Sequence, residues 1–420
     1  MSVGASPVLR RDFDRWFRLA LAVWVLIALA TCVRGVLWTF SVHYNSIYTV
    51  YAEAGRSWLT GTGLYPAHDG FGVFRYAPLI AALLVPFGVL PVAAGEFCWR
   101  LLNVAVYVGG LLWWARAALP RALTPRERVA LLLLAALFSA SGLLDAQANP
   151  LVMGLLLLTT AAAAEQRWTW AAVCVTGACL LKVYPASLAL LLLAVYPRRF
   201  GPRLAAVLAG CLALPFLLQR PDYVLRQYAG WWRLLGRDDG RQDFPLDVCY
   251  RDLRLLCRVW LWPLKPVAYA ALQLGVGAVL AGLCLLGRRV GWSRQQLVNV
   301  ALGLSCCWML VLGPATEGVT YLFLAAPLTW ALVEVFGKRR SWPARTTILA
   351  AAGCLLTAFV AVWFPSGKRL HQLGLHPLAG LLTFAYLFAD ALQRTWRPID
   401  ARRTVILTRS ESLPDCQAAG

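Results

Sequence analysis

The chain has 420 residues, 60% of them hydrophobic and only 14% charged, against the roughly 25% charged residues of an ordinary soluble domain. That balance excludes a soluble globular protein and points to a polytopic membrane protein. A formal net charge of +20 raises the question of nucleic acid. The basic residues, however, punctuate short loops between apolar runs and form no basic and aromatic platform, so nucleic acid is not an expected partner.

Trp16 to Trp38 is long enough to cross a bilayer, since ~20 residues at 1.5 Å each match a hydrocarbon core of roughly 30 Å. Its Arg18 and Arg34 lie near the ends, where they can snorkel outward. The run is too long for the apolar core of a signal peptide and lacks a small-residue cleavage pattern, so it is expected to persist as a helix. A polar, aromatic segment follows. From Ile47 to Trp58 it has no Pro and only Gly55, with Tyr48, Tyr51, Ala52, Gly55 and Leu59 at helical spacing, which predicts an amphipathic helix in the interface, ended by Gly61 and Gly63. A plain interfacial anchor accounts for the Tyr and Trp residues. Glu53, Arg56, Asp69, Arg75 and Tyr76, in a segment held at both ends by membrane helices, make it a candidate site loop.

Further apolar runs fall near 78–93, 97–115, 129–144, 150–164, 168–181, 185–197, 204–219, 266–287, 295–312, 320–336, 344–363 and 377–393. The expectation is an all-α polytopic membrane bundle of roughly 11–13 transmembrane helices. Several runs are shorter than a full span, so broken or re-entrant helices lining a protein-enclosed cavity are expected among them. Arg and Lys cluster at 10–18, 116–128, 198–203, 288–294 and 338–345 and after Arg394, which makes these loops cytoplasmic by the positive-inside rule. The same charge favours anionic headgroups. The loops 39–77, 220–262, 313–319 and 364–376 are then outer, forming one polar cap. This divides the chain into a cytoplasmic N-terminus (1–15), a transmembrane domain (16–399) and a disordered cytoplasmic tail (400–420). One conflict stands: if both 78–93 and 97–115 cross, the basic loop 116–128 falls outside.

The 12 cysteines are scattered and include no C-x-x-C pair, so they read as small core hydrophobes. Cys249 and Cys257 share an outer loop and are available to pair. His43, His68, His371 and His376 have no ligand-like spacing, and no metal site is expected.

The run VYAEAGRSWLTGTGLY at 50–65, FRYAPLIAALLVPFGVLP at 74–91, DAQANPLVMGLLL at 145–157, and LLKVYPASLALLLL at 180–193 followed by PRRF resembles glycosyltransferase family 87. The similarity extends more loosely to GPATEGVTYLFLAAPL at 313–328. That family comprises membrane enzymes of the GT-C fold that use polyprenyl-phosphate sugars, and includes phosphatidylinositol mannoside mannosyltransferases. The resemblance implies a GT-C-like bundle with an outer-face cap. It also implies transfer of a hexose, mannose among the candidates, from a polyprenyl-phosphate-hexose to a glycan or glycolipid acceptor at the outer face of a bacterial inner membrane. The arginine-rich basic set, with 4 Lys among 40 basic residues, fits a bacterial source. No cofactor is implied, and the chain carries no Walker or G-x-G-x-x-G motif. The family places a catalytic Asp at the start of the first outer helix. Here that position is Ile47, and the family's G-Q-x-N motif has Ala146 in place of its Gly. Either another carboxylate serves as base or the chain binds without catalysing.

Sugar transfer with inversion needs a base near the attacking oxygen and cations near the departing phosphate. Three carboxylates are candidates for the base, in the order Glu53, Glu317 and Asp145. Each has a plainer alternative: pairing of Glu53 with Arg56, a solvated turn at Glu317, and helix capping by Asp145. Lys182, alone in a long uncharged stretch, is the leading candidate for the donor phosphate, because a charge at membrane depth costs ~2.5–3.5 kcal/mol and calls for a partner. Snorkelling to the interface is its alternative. Arg75 is a second phosphate candidate. Gln147 and Asn149 are candidates for sugar hydroxyls or for helix–helix bonding. Tyr51, Tyr76, Tyr184 and Tyr321 are further sugar or acceptor candidates, as are Trp231 and Trp232 with Tyr228 and Asp252. A lipid or sugar transporter, or a non-catalytic binder of lipid-linked sugar, is the rival reading. No internal repeat supports transport.

Overall fold

The computed structural model describes residues 7–65, 72–236, 241–338, 340–362, 364 and 367–411. Asp69 and the tail residues 412–420 lie outside them. Among the described residues the chain is helix and turn, with no strand. Eight helices among the described residues are long and apolar enough to cross a bilayer, and three shorter apolar helices, Asn149–Ala164, Trp168–Leu181 and Ala186–Val195, lie between them in sequence. The protein is therefore an all-α polytopic membrane protein. Its last helix, Leu375–Glu411, takes up the first part of the expected tail.

Burial sorts the helices into an interior and a lipid-facing ring. The segment Gly318–Gly337 is 89% buried over its most apolar window, whereas Pro197–Leu218 is 6% buried and presents its apolar side chains outward. In hydrocarbon such exposure is favourable, because helices satisfy their own backbone groups there. With lipid as apolar as Leu, association of the interior helices depends on close packing. Helix Val92–Ala117 meets Asn149–Ala164 at Gly110 and Gly154, where a Cβ on Gly110 would sit 2.6 Å from the Gly154 carbonyl oxygen. The two backbones touch there, which only glycine permits.

The expected run 78–93 does not cross. It folds as two short helices, Pro78–Leu83 of 6 residues and Val85–Val89 of 5. At 1.5 Å per residue each spans under about 10 Å. Pro86 lies in the first turn of the second helix, and the chain turns again at Pro91. Only Val92–Ala117 then traverses in this region, so the basic loop 116–128 joins the other basic loops, and the conflict in the sequence disappears.

Contacts gather those loops at one end of the bundle. Arg121 pairs with Glu127 and Glu334, both at 2.6 Å, and Lys338 pairs with Glu334 at 2.7 Å. Arg340 and Arg394 share Asp390. Arg294 donates to the Ala164 carbonyl at 3.0 Å, and Arg288 donates to the Val195 carbonyl. The segments around Tyr51, Asp145, Lys182, Arg241 and Glu317 meet at the opposite end.

Candidate active site

The site is built on the turn 145–148, between helices Pro125–Leu144 and Asn149–Ala164. Asp145 accepts from the Gln147 N–H at 2.9 Å, closing a local turn rather than capping the following helix. Helix Val92–Ala117 grips this turn from the side. Trp99 donates its indole N–H to the Ala146 carbonyl at 2.6 Å, Arg100 donates to the Leu144 carbonyl at 2.9 Å, and Asn103 accepts from the Leu151 N–H at 3.1 Å. Arg100 is itself held by Glu96 at 2.8 Å, and Glu96 also accepts from Tyr44 at 3.1 Å. On the other side the Tyr51 hydroxyl accepts from the Ala148 N–H at 3.2 Å and lies 2.9 Å from the Tyr76 hydroxyl.

Across this frame runs a directional chain of side chains. Lys182 Nζ donates to Asn149 Oδ1 at 2.6 Å, Asn149 Nδ2 donates to Gln147 Oε1 at 3.0 Å, and Gln147 Nε2 donates to Glu317 Oε2 at 2.6 Å. An ammonium has no acceptor and a carboxylate no donor, so the two ends fix the orientation of both amides between them. Lys182 follows helix Trp168–Leu181 in extended backbone (φ −148°, ψ 137°), just before Pro185 precedes the next helix. Pro185 cannot continue the first helix, and the break turns Lys182 inward to Asn149. Its ammonium also lies 5.5 Å from the Tyr184 ring centre. The Tyr184 hydroxyl, beside Thr320, is buried without a well-formed hydrogen bond.

The segment 241–252 closes on the far end of the chain of side chains. Arg241, on the short 3-10 turn Arg241–Asp243, donates to Glu317 Oε1 at 2.5 Å and lies over the Tyr250 ring at 4.9 Å. The Arg251 N–H donates to the Thr316 carbonyl at 2.7 Å, so the cap strap and the 313–317 loop are joined next to Glu317. Asp252 is occupied as the N-cap of helix Leu253–Trp260. Cys249 and Cys257 remain separate free thiols.

Of the residues singled out in the sequence, Lys182, Asn149, Gln147, Glu317, Asp145, Tyr51, Tyr76 and Tyr184 come together. The rest do not. Glu53 is exposed on helix Tyr48–Thr60, whose buried face carries Tyr51, and among the described residues it makes no ion pair; Arg56 donates instead to the Gly88 carbonyl at 2.9 Å. The Arg75 side chain is exposed, and its backbone carbonyl accepts from Trp231 at 3.2 Å. Trp232 is 75% exposed and points away from the bundle. Tyr321 is fully buried with its hydroxyl on the Arg251 carbonyl at 2.7 Å, and Tyr228 donates to the Leu212 carbonyl at 2.8 Å. Sequence reasoning missed Glu96, Trp99, Arg100, Asn103 and Arg241. The first four carry a usable signal, being polar or amphipathic residues at i, i+3, i+4 and i+7 on one face of a spanning helix. Arg241 is one arginine among several in its loop.

Electrostatics separate the two carboxylates of the site. Burial pushes the Glu317 carboxyl up, but the Gln147 hydrogen bond and the cations of Arg241 and Lys182 outweigh it and hold it below the usual range. Asp145 is raised, chiefly by burial, with Glu317 adding to the shift. The arrangement thus sets an ionised carboxylate at one end of a polar chain and a cation at the other, in a protein-enclosed site at one end of a membrane bundle.

A sequence model of glycosyltransferase family 87 matches residues 74–314, more than half of the chain. The chain belongs to glycosyltransferase family 87. No curated protein matches it. This family 87 protein is therefore a multi-pass membrane glycosyltransferase. The matched span contains Asp145, Gln147, Asn149, Lys182 and Arg241, and Glu317 follows three residues after it. Ile47 and Glu53 precede it, so the segment that departs from the family's catalytic Asp is the one that the match leaves out.

Proposed function

We propose that this glycosyltransferase moves a hexose, mannose among the candidates, from a polyprenyl-phosphate-hexose to a glycan or glycolipid acceptor. Transfer takes place at the outer face of a bacterial inner membrane. The observation that carries the reading is the directional chain from Lys182 through Asn149 and Gln147 to Glu317. Lys182 receives the donor phosphate, and Glu317 is the base in place of the family's Asp. The acceptor oxygen forms a bond to the anomeric carbon while the bond from that carbon to the phosphate oxygen breaks. The bonding pair stays on the phosphate, and the acceptor proton passes to Glu317. Charge develops on the phosphate as it leaves, so a fixed cation there lowers the barrier. Sidedness follows from the basic end, which carries the Arg clusters and faces the cytoplasm by the positive-inside rule.

The test is turnover by the purified full chain in lipid nanodiscs, with a membrane lysate supplying acceptors and release of free polyprenyl phosphate as the readout. Glu317→Gln and Lys182→Ala should each lower release by two orders of magnitude or more, and Glu53→Gln should leave it within twofold. Loss in Asp145→Asn with survival of Glu317→Gln would move the base to Asp145. Absence of release from the unaltered protein would favour a binder or transporter of lipid-linked sugar.

A further inference from the structure

The charges that converge on the site are those of Lys182, Arg241, Glu317 and Asp145, with Arg100 behind the turn. Arg100 is committed to Glu96 and to the Leu144 carbonyl. Asp145 is committed to the Gln147 N–H. Glu317 is left between two cations, bonded directly to Arg241 at 2.5 Å and linked to Lys182 through the two amides. Arg241 is anchored by its Nε to the Val248 carbonyl at 2.9 Å, so its guanidinium is held where Glu317 meets it. A guanidinium presents further N–H donors in the same plane, suited to phosphate oxygens as well as to a carboxylate.

Resting on the function proposed above, we propose that Arg241 is a second catalytic cation for the donor phosphate, and that an incoming phosphate exchanges with Glu317 for Arg241 and Lys182. A singly charged phosphodiester then replaces the singly charged Glu317 carboxylate between the two cations. When the sugar is transferred, the phosphate gains a charge and the acceptor proton neutralises Glu317. The two cations then face a doubly charged phosphate, and the balance is preserved. The exchange also strips Glu317 of the partners that hold its proton affinity down, so the base strengthens only once the donor is seated.

Binding of polyprenyl phosphate to the full chain in nanodiscs, with the uncharged polyprenol as control, tests this without an acceptor. Arg241→Gln should weaken polyprenyl phosphate at least tenfold with polyprenol unchanged, and Arg241→Lys should recover part of the loss. Glu317→Gln should tighten polyprenyl phosphate several-fold, because the competing carboxylate is gone. Equal affinity in the unaltered and Arg241→Gln proteins, or weaker binding in Glu317→Gln, would overturn the exchange while leaving the enzyme reading intact. An unaltered protein that does not prefer polyprenyl phosphate to polyprenol would sink both.

Discussion

Removing the Arg100 guanidinium should loosen the site turn at a cost that its own partner can relieve. Glu96 is fully buried and Arg100 is 7% exposed, so the pair is shielded from water. Breaking a buried pair from one side leaves an uncompensated charge and costs about 3–5 kcal/mol. Arg100→Met also removes the 2.9 Å bond to the Leu144 carbonyl, one of three backbone points by which helix Val92–Ala117 holds the 144–151 segment, and leaves that carbonyl the longer 3.4 Å bond from Arg34. Glu96→Gln should cost less than Arg100→Met, because Arg100 keeps its bond to Leu144. In the double variant no charge is stranded, and the loss should fall to the ~1.5–3 kcal/mol of one hydrogen bond from a charged donor, since Arg34 still reaches the Leu144 carbonyl. A denaturant series in mixed micelles gives the four stabilities of the cycle, and amide exchange of residues 144–149 reports the turn itself. Gly35→Ala is an independent probe: a Cβ there would lie 2.6 Å from Arg100 Cδ and overlap Nε, so it should displace the guanidinium. Its cost should shrink in the Arg100→Met background. Losses that simply add in the cycle would refute the coupling and with it the role of the pair in holding the turn.

With Glu317 as the proposed base, the acid limb of kcat/KM, which reports the enzyme before the donor is seated, should lie below the usual glutamate range, since Glu317 is depressed there; a limb displaced above that range would point to Asp145, whose carboxyl is raised by burial. His371 is lowered from 6.5 to about 4, mainly by burial, with Arg251 adding and Asp247 opposing, and the His376 ring packs edge-on at 5.4 Å. The unfolded chain therefore takes up this proton first, stability should rise with pH between about 4 and 6.5, and His371→Gln should lessen the rise in a thermal series. Gly110→Ala forces apart two backbones in contact at Gly154 and should lower stability by roughly 1–3 kcal/mol, read by the same micellar denaturation.

Much of the fold was legible because apolar run length and arginine placement are nearly independent signals. The run 78–93 misled on length alone: its Pro86 and Pro91 were visible, but helical hydropathy does not say whether a chain turns back. At the site, Lys182, Gln147, Asn149 and Glu317 stood out because each polar group in an apolar setting demands a partner. Glu53 ranked first for the base on the strength of its segment, and helical phase puts it on the exposed side, since Tyr51 two positions earlier takes the buried face. Arg100 and Glu96 look in sequence like an ordinary i,i+4 pair. Only tertiary contact shows that their far ends reach a turn more than 40 positions away.

The two helices that flank Lys182 have 14 and 10 residues, about 21 and 15 Å of rise, well short of a hydrocarbon core of roughly 30 Å. A membrane wrapped around so short a section relieves the mismatch by thinning locally or by letting the protein tilt. Either response brings the headgroup plane down toward the break between those helices. The isoprenoid chain of the proposed donor would then stay in hydrocarbon while its charged end meets Lys182 at the level of the surface. The depth of the pocket and the local thickness of the bilayer are thus one variable, and transfer rates should respond to the acyl-chain length of the surrounding lipid.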